Sequence, residues 1–233
     1  NSESAVLDRM PVLGCQGYSP LKHRELVEQN KRTSRCVDDL IRARLRGKEI
    51  DPGELTQLTI QYLGSMTEDI DSVLASVAEN AGEHEIATHN VDVALLAMAI
   101  GIEMGLDATN VRHLGVAGLV HDWGMCRVAP ETLRANRRLT KEEFCEITRH
   151  PIDSLRLLEK LPGIPSVVPM IAYQVHERPN GSGYPKGRTD ERIHPLAKIV
   201  AVADMFHALT SPRPFRPPLM PYAAMECLLR QAA

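Results

Sequence analysis

The chain has 233 residues and a mass of 25.8 kDa; 43% hydrophobic and 24% charged residues call for a packed core and exclude disorder of the whole chain. The formal net charge of −3 leaves no basic surplus for a phosphate backbone, so a nucleic-acid polymer is not an expected partner. The longest apolar stretch, Val93 to Ile102, stops at Glu103 and is expected to be too short for a bilayer span; the opening residues lack the basic and apolar regions of a signal peptide.

Residues 1 to about 30 are punctuated by Gly14, Gly17 and Pro20 and read as an irregular arm. Val37, Leu40, Ile41 and Leu45 recur at three and four, which predicts a helix over 33–46 closed by Gly47. Asp51 as N-cap, with Pro52 at the first helical position and Glu54 at the third, opens a second helix to about Asn80. Residues 1–81 thus read as an arm and a helical hairpin, a cap, dimerisation or linker region. From Glu85 the pattern is helix after helix: 85–104 closed by Gly105, 108–120, a capping box at Thr140–Glu143, a break at His150-Pro151, a helix capped by Ser166 that delivers His176-Glu177, a long Gly-rich loop over 178–194, and a buried helix from Pro195 to Leu209. Four prolines then forbid regular helix, and a last helix starts near Pro221 and is cut at Ala233. Aromatics at 4% leave the core to Leu, Ile, Val, Ala and Met, the composition of an all-α bundle. Cys15, Cys36, Cys126, Cys145 and Cys227 form no C-x-x-C pair; an odd, scattered set fits reduced thiols and a cytoplasmic location.

Histidines and carboxylates stand at helix ends and on helix faces. Glu85 and His89, four apart, project from one face; His121 and Asp122 are adjacent at a helix C-terminus; His150 precedes a break and His176 closes a helix. Asp204 lies in the apolar run Ile199–Phe206, where an anion is costly to bury unless paired or metal-bound. Taken singly, each reads as well as a satisfied core or surface residue. As an ordered set on a helical scaffold they suit divalent Fe, Mn, Zn or Co. One Asp beside a His can bridge two ions about 3.5–4 Å apart, the arrangement that activates water against phosphoesters.

Residues 84 to about 220 resemble the HD-GYP family, a branch of the HD metal-phosphohydrolases. The stretches that carry the resemblance are Thr88-His89, His121-Asp122-Trp123-Gly124, His150-Pro151, the string from His176-Glu177 to Gly183-Tyr184-Pro185, Ala203-Asp204 and Arg213-Pro214-Phe215-Arg216. The resemblance implies an HD-type helical bundle over 82–233 that hydrolyses cyclic di-GMP to the linear dinucleotide or GMP by attack of a metal-bound hydroxide. It implies Glu85, His89, His121, Asp122, His150, His176 and Asp204 as ligands of one or two divalent ions, with His121 and Asp122 at the catalytic centre and Asp122 as the bridge. Gly183, Tyr184, Pro185, Arg213 and Arg216 would contact substrate; the GYP loop is also a candidate surface for a signalling partner, and a homodimer is consistent with the hairpin.

The chain departs from the family's pattern at four places. Val175 stands where an imidazole is usual, Met125 where a lysine is usual, and Asn180 where a loop acid is usual. His207, three residues after Asp204, replaces a common Asp and shares its face, where it can serve as a ligand or as a packed residue behind the ligands. These changes leave open a second function, a degenerate signalling module that binds cyclic di-GMP or a protein without turnover.

Overall fold

In the computed structural model, which describes residues 19–79, 85–212 and 216–232, the chain enters its first helix at Ser19. The Ser19 side chain accepts the Lys22 N–H and Pro20 occupies the first turn, so α1 spans Pro20–Leu45. The irregular arm expected to reach residue 30 is therefore already helical from Pro20; its first eighteen residues lie outside the described ones. The buried face of this first half is His23, Leu26, Asn30, Thr33 and Ser34, mostly polar, so it leaves no apolar period to read. Its polar groups pair across the hairpin. Asn30 Nδ2 donates to Ser76 Oγ at 2.9 Å, and Tyr62 Oη sits 2.9 Å from Asn30 Oδ1 and 3.0 Å from Thr33 Oγ1.

The second helix, α2, spans Gly53–Glu79 and is entered through Asp51, whose carboxylate accepts the Gly53 N–H at 2.8 Å. It bends at Asp69, where φ −163° and ψ 88° are not helical. Asp69 recaps the second half, accepting the Ser72 N–H at 3.0 Å and the Ser72 hydroxyl at 2.6 Å.

Helices α3, Ile86–Glu103, and α4, Ala108–Val120, form the centre. A side chain at Gly118 would overlap the Ala94 backbone, so the two helices touch main chain to main chain there. By length and composition α3, with a mean hydropathy of 1.3, is apolar enough to cross a membrane, which corrects the expectation of too short a stretch; 67% of it is buried inside the protein as a core helix.

A one-turn helix, α5, Pro130–Leu133, precedes α6, Lys141–Thr148, which opens on the expected capping box. Then come α7, His150–Leu158, and α8, Val167–Gln174. Ser166 stands at the N-cap of α8 but makes no side-chain cap bond, because its backbone is already helical at φ −58°, ψ −23°. Helix α9, Pro195–Thr210, and α10, Pro221–Ala232, complete the chain. Among the described residues there is no strand, Asn180 and Thr189 form an isolated bridge, and the all-α expectation holds.

The hairpin packs on α3 and α4, α9 crosses α3, and α8 lies between α4 and α7. The expected division near residue 81 falls outside the described residues. On either side of it, Val37, Leu55 and Val73 join one hydrophobic core with Leu95, Leu119 and Val200. Arg44 Nε also reaches across to the Leu157 carbonyl at 3.0 Å, satisfying an orphan acceptor at the end of α7.

Candidate metal centre

Helix α4 ends at His121, and a 3-10 turn, Trp123–Arg127, follows at once. The turn is held from three sides. The fully buried Trp123 donates its indole N–H to the Leu119 carbonyl at 2.8 Å. Ser154 on α7 accepts the Gly124 N–H at 2.8 Å and donates its hydroxyl to the His121 carbonyl at 2.6 Å. Gly124 has no room for a side chain, since a Cβ there would overlap the His150 carbonyl. This contact seats the start of α7 on the end of α4 and brings His150 beside Asp122.

Three side chains then face one carboxylate oxygen. Asp122 Oδ1 lies 3.1 Å from His150 Nε2, 3.5 Å from His121 Nε2 and 3.6 Å from His176 Nε2. The other carboxylate oxygen faces His89 Nε2 at 3.7 Å, and that nitrogen is 3.2 Å from Asp204 Oδ1. His176 Nδ1 is 3.7 Å from Asp204 Oδ2. Two groups of ligand atoms result, His89 with His121 and Asp204, and Asp122 with His150 and His176. Asp122 presents one oxygen toward each.

The tautomers of two of these rings follow from their backbone partners. His121 Nδ1 meets the Gly118 carbonyl at 2.9 Å and His150 Nδ1 meets the Ile147 carbonyl at 2.7 Å. A carbonyl only accepts, so each Nδ1 carries the proton and the neutral ring leaves a lone pair on Nε2. Those Nε2 atoms, with His176 Nε2 and Asp122 Oδ1, are buried and have no hydrogen-bond partner. Lone pairs gathered at 3.1–3.6 Å repel unless a cation or protons lie among them. Ligand bonds of about 2.1 Å place neighbouring donor atoms about 3–3.5 Å apart, so the residues present fit a divalent ion.

The electrostatics have the same origin. Burial pushes the Asp122 carboxyl up, but the His121 and His150 rings more than reverse this and hold it well below the usual carboxylate range. Asp204 is likewise held low, burial being overcome by His89 and His176. Burial lowers His89 and His176 despite their carboxylate neighbours, whereas His150 ends raised because the Asp122 carboxylate outweighs its burial.

The loop after α8 covers the Asp122 side. Its anchor is Glu177, a buried residue to which sequence reasoning assigned no role: its carboxylate accepts the Lys186 N–H at 2.8 Å and the Arg188 N–H at 2.7 Å. Gly183 passes so close to His176 and Arg178 that a Cβ would strike their backbone. The Tyr184 ring therefore stacks on His176, with centroids 5.0 Å apart and planes 14° from parallel. Asn180 accepts from the Ser182 N–H and hydroxyl at 3.0 and 2.6 Å, closing the turn before Gly183. Pro185 follows Tyr184 through a cis peptide bond.

Other candidates stand apart. Glu85 is the exposed N-cap residue of α3 and joins neither ligand group. Arg216 donates to the carbonyls of Ala208, Leu209 and Pro217 at 2.8–3.0 Å, so its guanidinium caps the end of α9. Arg213 lies outside the described residues. Val175 is fully buried in the core, and Met125 is half-buried in the 3-10 turn. His207 belongs to neither ligand group, but its ring lies against His89.

A family model described as HD domain matches residues 72–233. The chain is 31% identical over 223 residues to the cyclic di-GMP phosphodiesterase PA4108 of Pseudomonas aeruginosa, covering 92% of this chain and 53% of the relative. It is 39% identical over 128 residues to the 3'3'-cGAMP-specific phosphodiesterase 1 of Vibrio cholerae, covering 55% and 30%. The response regulator RpfG of Xanthomonas campestris, a cyclic di-GMP phosphodiesterase, is 30% identical over 91% of this chain and 56% of its own length. The chain thus spans about half the length, or less, of these curated relatives. In fold it is similar to an HDGYP protein from Bdellovibrio bacteriovorus, with a TM-score of 0.69 at 18% identity over 90% of this chain and 64% of that one.

Proposed function

Because the chain belongs to the HD-domain family, in its HD-GYP branch, we propose that it is a metal-dependent phosphodiesterase acting on a cyclic dinucleotide, with cyclic di-GMP as the substrate. The observation that carries the proposal is the meeting of buried, unpartnered lone pairs from His121, His150 and His176 at Asp122 Oδ1. On this reading two divalent ions of Fe, Mn, Zn or Co are held, one by His89, His121 and Asp204 and one by Asp122, His150 and His176, with Asp122 shared. Bound there, such ions supply Lewis acidity toward a phosphoryl oxygen and lower the pKa of water toward neutrality.

The chain's own part is positioning. The Gly118 and Ile147 carbonyls fix two imidazoles with a proton on Nδ1 and Nε2 turned toward Asp122, and the Ser154 bridge fixes the turn that carries Asp122. Tyr184 walls one side of the site through its stack on His176, and Glu177 keeps that wall in place, so Gly183, Tyr184 and Pro185 form the surface against which a nucleotide would lie. Arg213 and Arg216 enter the same proposal as phosphate or guanine contacts. For Arg216 this requires release of the α9 carbonyls it now caps.

A cytoplasmic location, a protein partner at the GYP loop and a homodimer through the hairpin are further parts of the proposal. Sedimentation of the purified chain tests the last. The decisive assay incubates the protein with excess Mn²⁺ or Fe²⁺ and either cyclic di-GMP or 3'3'-cGAMP, and follows the products by chromatography. The linear dinucleotide or GMP is expected from wild type and not from His121→Ala. A wild type that holds its ions and binds a dinucleotide without cleaving it is instead the degenerate module, the outcome Val175 and Met125 would favour.

A further inference from the structure

Behind His89, on the side away from Asp204, stands a second buried pair. His207 Nδ1 is 2.8 Å from His89 Nδ1, and His207 Nε2 is 3.1 Å from Asp92 Oδ2. Ser211 Oγ lies 3.1 Å from the same Nε2. His207 and Asp92 are both buried, Asp92 to within 1% of full enclosure. The placement is helical bookkeeping of the simplest kind: Asp92 is three residues after His89 on α3, and His207 is three after Asp204 on α9. The two helices that present His89 and Asp204 therefore also present, one turn on, the pair behind them.

We infer that Asp92 and His207 form a hydrogen-bonded relay that fixes the tautomer of His89 and strengthens it as a metal ligand, an inference that rests on reading His89, His121 and Asp204 as a metal site. The proton positions leave one consistent arrangement. A ligand at Nε2 requires the lone pair there, so the neutral His89 ring carries its proton on Nδ1. That N–H donates to His207 Nδ1, which must then be the bare nitrogen of its ring. The His207 proton is left on Nε2, where it donates to the Asp92 carboxylate. The reverse tautomer of His207 would set a lone pair against a buried anion at 3.1 Å and an N–H against the His89 N–H. The relay carries carboxylate charge through one imidazole to a second, and so makes His89 Nε2 a better electron-pair donor. His207 is thus a positioning residue and not a ligand.

The test begins with Mn²⁺ titrations of the full chain, counting free ion by electron paramagnetic resonance. His207→Leu removes the acceptor. His207→Asn keeps one, because Asn Oδ1 is bonded to Cγ as Nδ1 is and falls in about the same place. The Leu variant is expected to bind one of two ions roughly 10–100-fold more weakly, and the Asn variant, which restores the acceptor for His89 but not the link to Asp92, to regain part of that loss, with helical circular dichroism unchanged in both. Equal affinity in wild type and both variants would overturn the relay. Should the Leu variant fail to fold, long-range proton–nitrogen spectra of the Zn²⁺-loaded wild type decide: a His207 ring protonated on Nε2 supports the relay and one protonated on Nδ1 refutes it. A wild type that binds no Mn²⁺ defeats the metal reading itself, and the relay with it. Normal binding in wild type with unaltered variants defeats the relay alone.

Discussion

His150 Nε2 stands 3.1 Å from Asp122 Oδ1 while its other ring nitrogen is committed to the Ile147 carbonyl at 2.7 Å. A neutral imidazole fixed in this way offers Asp122 a lone pair and not a proton, so the contact makes sense only with a cation between the two, or with the ring charged. This separates two variants. Asp122→Asn alters a carboxylate that presents an oxygen to histidines of both sets and is expected to reduce bound metal in both. His150→Ala opens only the set it shares with His176 and should leave about one ion. Elemental analysis of proteins purified with Mn²⁺ checks the difference; equal loss from the two would count against a shared Asp122.

Gly124 should be intolerant for a steric reason. A methyl group there would overlap the His150 carbonyl and press on the Ser154 nitrogen at 2.7 Å, both backbone atoms that cannot rotate away. Gly124→Ala is expected to cost about 3 kcal/mol of stability, and Ser154→Ala, which loses both of its bonds to the turn, about 1–3 kcal/mol. Urea midpoints measure both. Metal content should fall with Gly124→Ala even where the protein is folded, because the turn that carries His121 and Asp122 is displaced.

The capping box predicts a pH dependence remote from the site. The Glu143 carboxyl is pulled down to about 2, first by the Arg137 guanidinium and then by the Thr140 N–H. Its folded value lies below its ordinary value of 4.5. Its contribution to stability is therefore complete above that value and is lost as pH falls through 4.5 toward 2. Glu143→Gln keeps a side chain able to close the box but not the charge. The difference in urea midpoint between wild type and this variant should be constant near neutrality and shrink through that window. A difference that grows on acidification would contradict the assignment.

What the sequence made legible follows its physics. Helices whose buried face is apolar were readable from spacing, as in α3 and α4, and the histidines and acids that come together in space were singled out by their order along the chain, although Glu85, singled out with them, joins neither group. The start of α1 was not, since it buries Asn30, Thr33 and Ser34 and relies on partners such as Tyr62 and Ser76 from a distant segment. The bend in α2 had a local signal, an Asp three residues before a Ser, hidden inside a continuous helical period. Asp92 could have been found by the argument applied to Asp204, a carboxylate in an apolar run; Glu177 could not, because its partners are backbone N–H groups that only the folded loop supplies.

The departures at Val175 and Met125 give the last expectation. Val175 closes α8 immediately before His176 and is fully buried, so the group containing Asp122, His150 and His176 has two imidazoles and one carboxylate with no fourth side chain supplied from that position. That ion should be lost first on dialysis, and activity as isolated should be low and rise with added Mn²⁺ or Fe²⁺. Met125 is the third residue after Asp122 and its N–H bonds to the Asp122 carbonyl at 2.8 Å, so a lysine there would start its reach from the same turn that follows His121 and Asp122. A cation at that distance favours phosphate charge in the transition state and is worth about 2–4 kcal/mol, or roughly two to three decades in rate. Met125→Lys should therefore raise turnover of cyclic di-GMP with metal in excess. Val175→His places a polar ring in an apolar pocket and should lower the urea midpoint; it raises activity only where the new ring reaches the ion, which a gain in metal retained after dialysis would register. The double variant, assayed by chromatography beside wild type, separates the outcomes. Activity in both, higher in the double variant, is expected. An inert wild type with an active double variant marks the natural chain as a binding module. If both stay inert with ions bound, cyclic di-GMP is not the substrate.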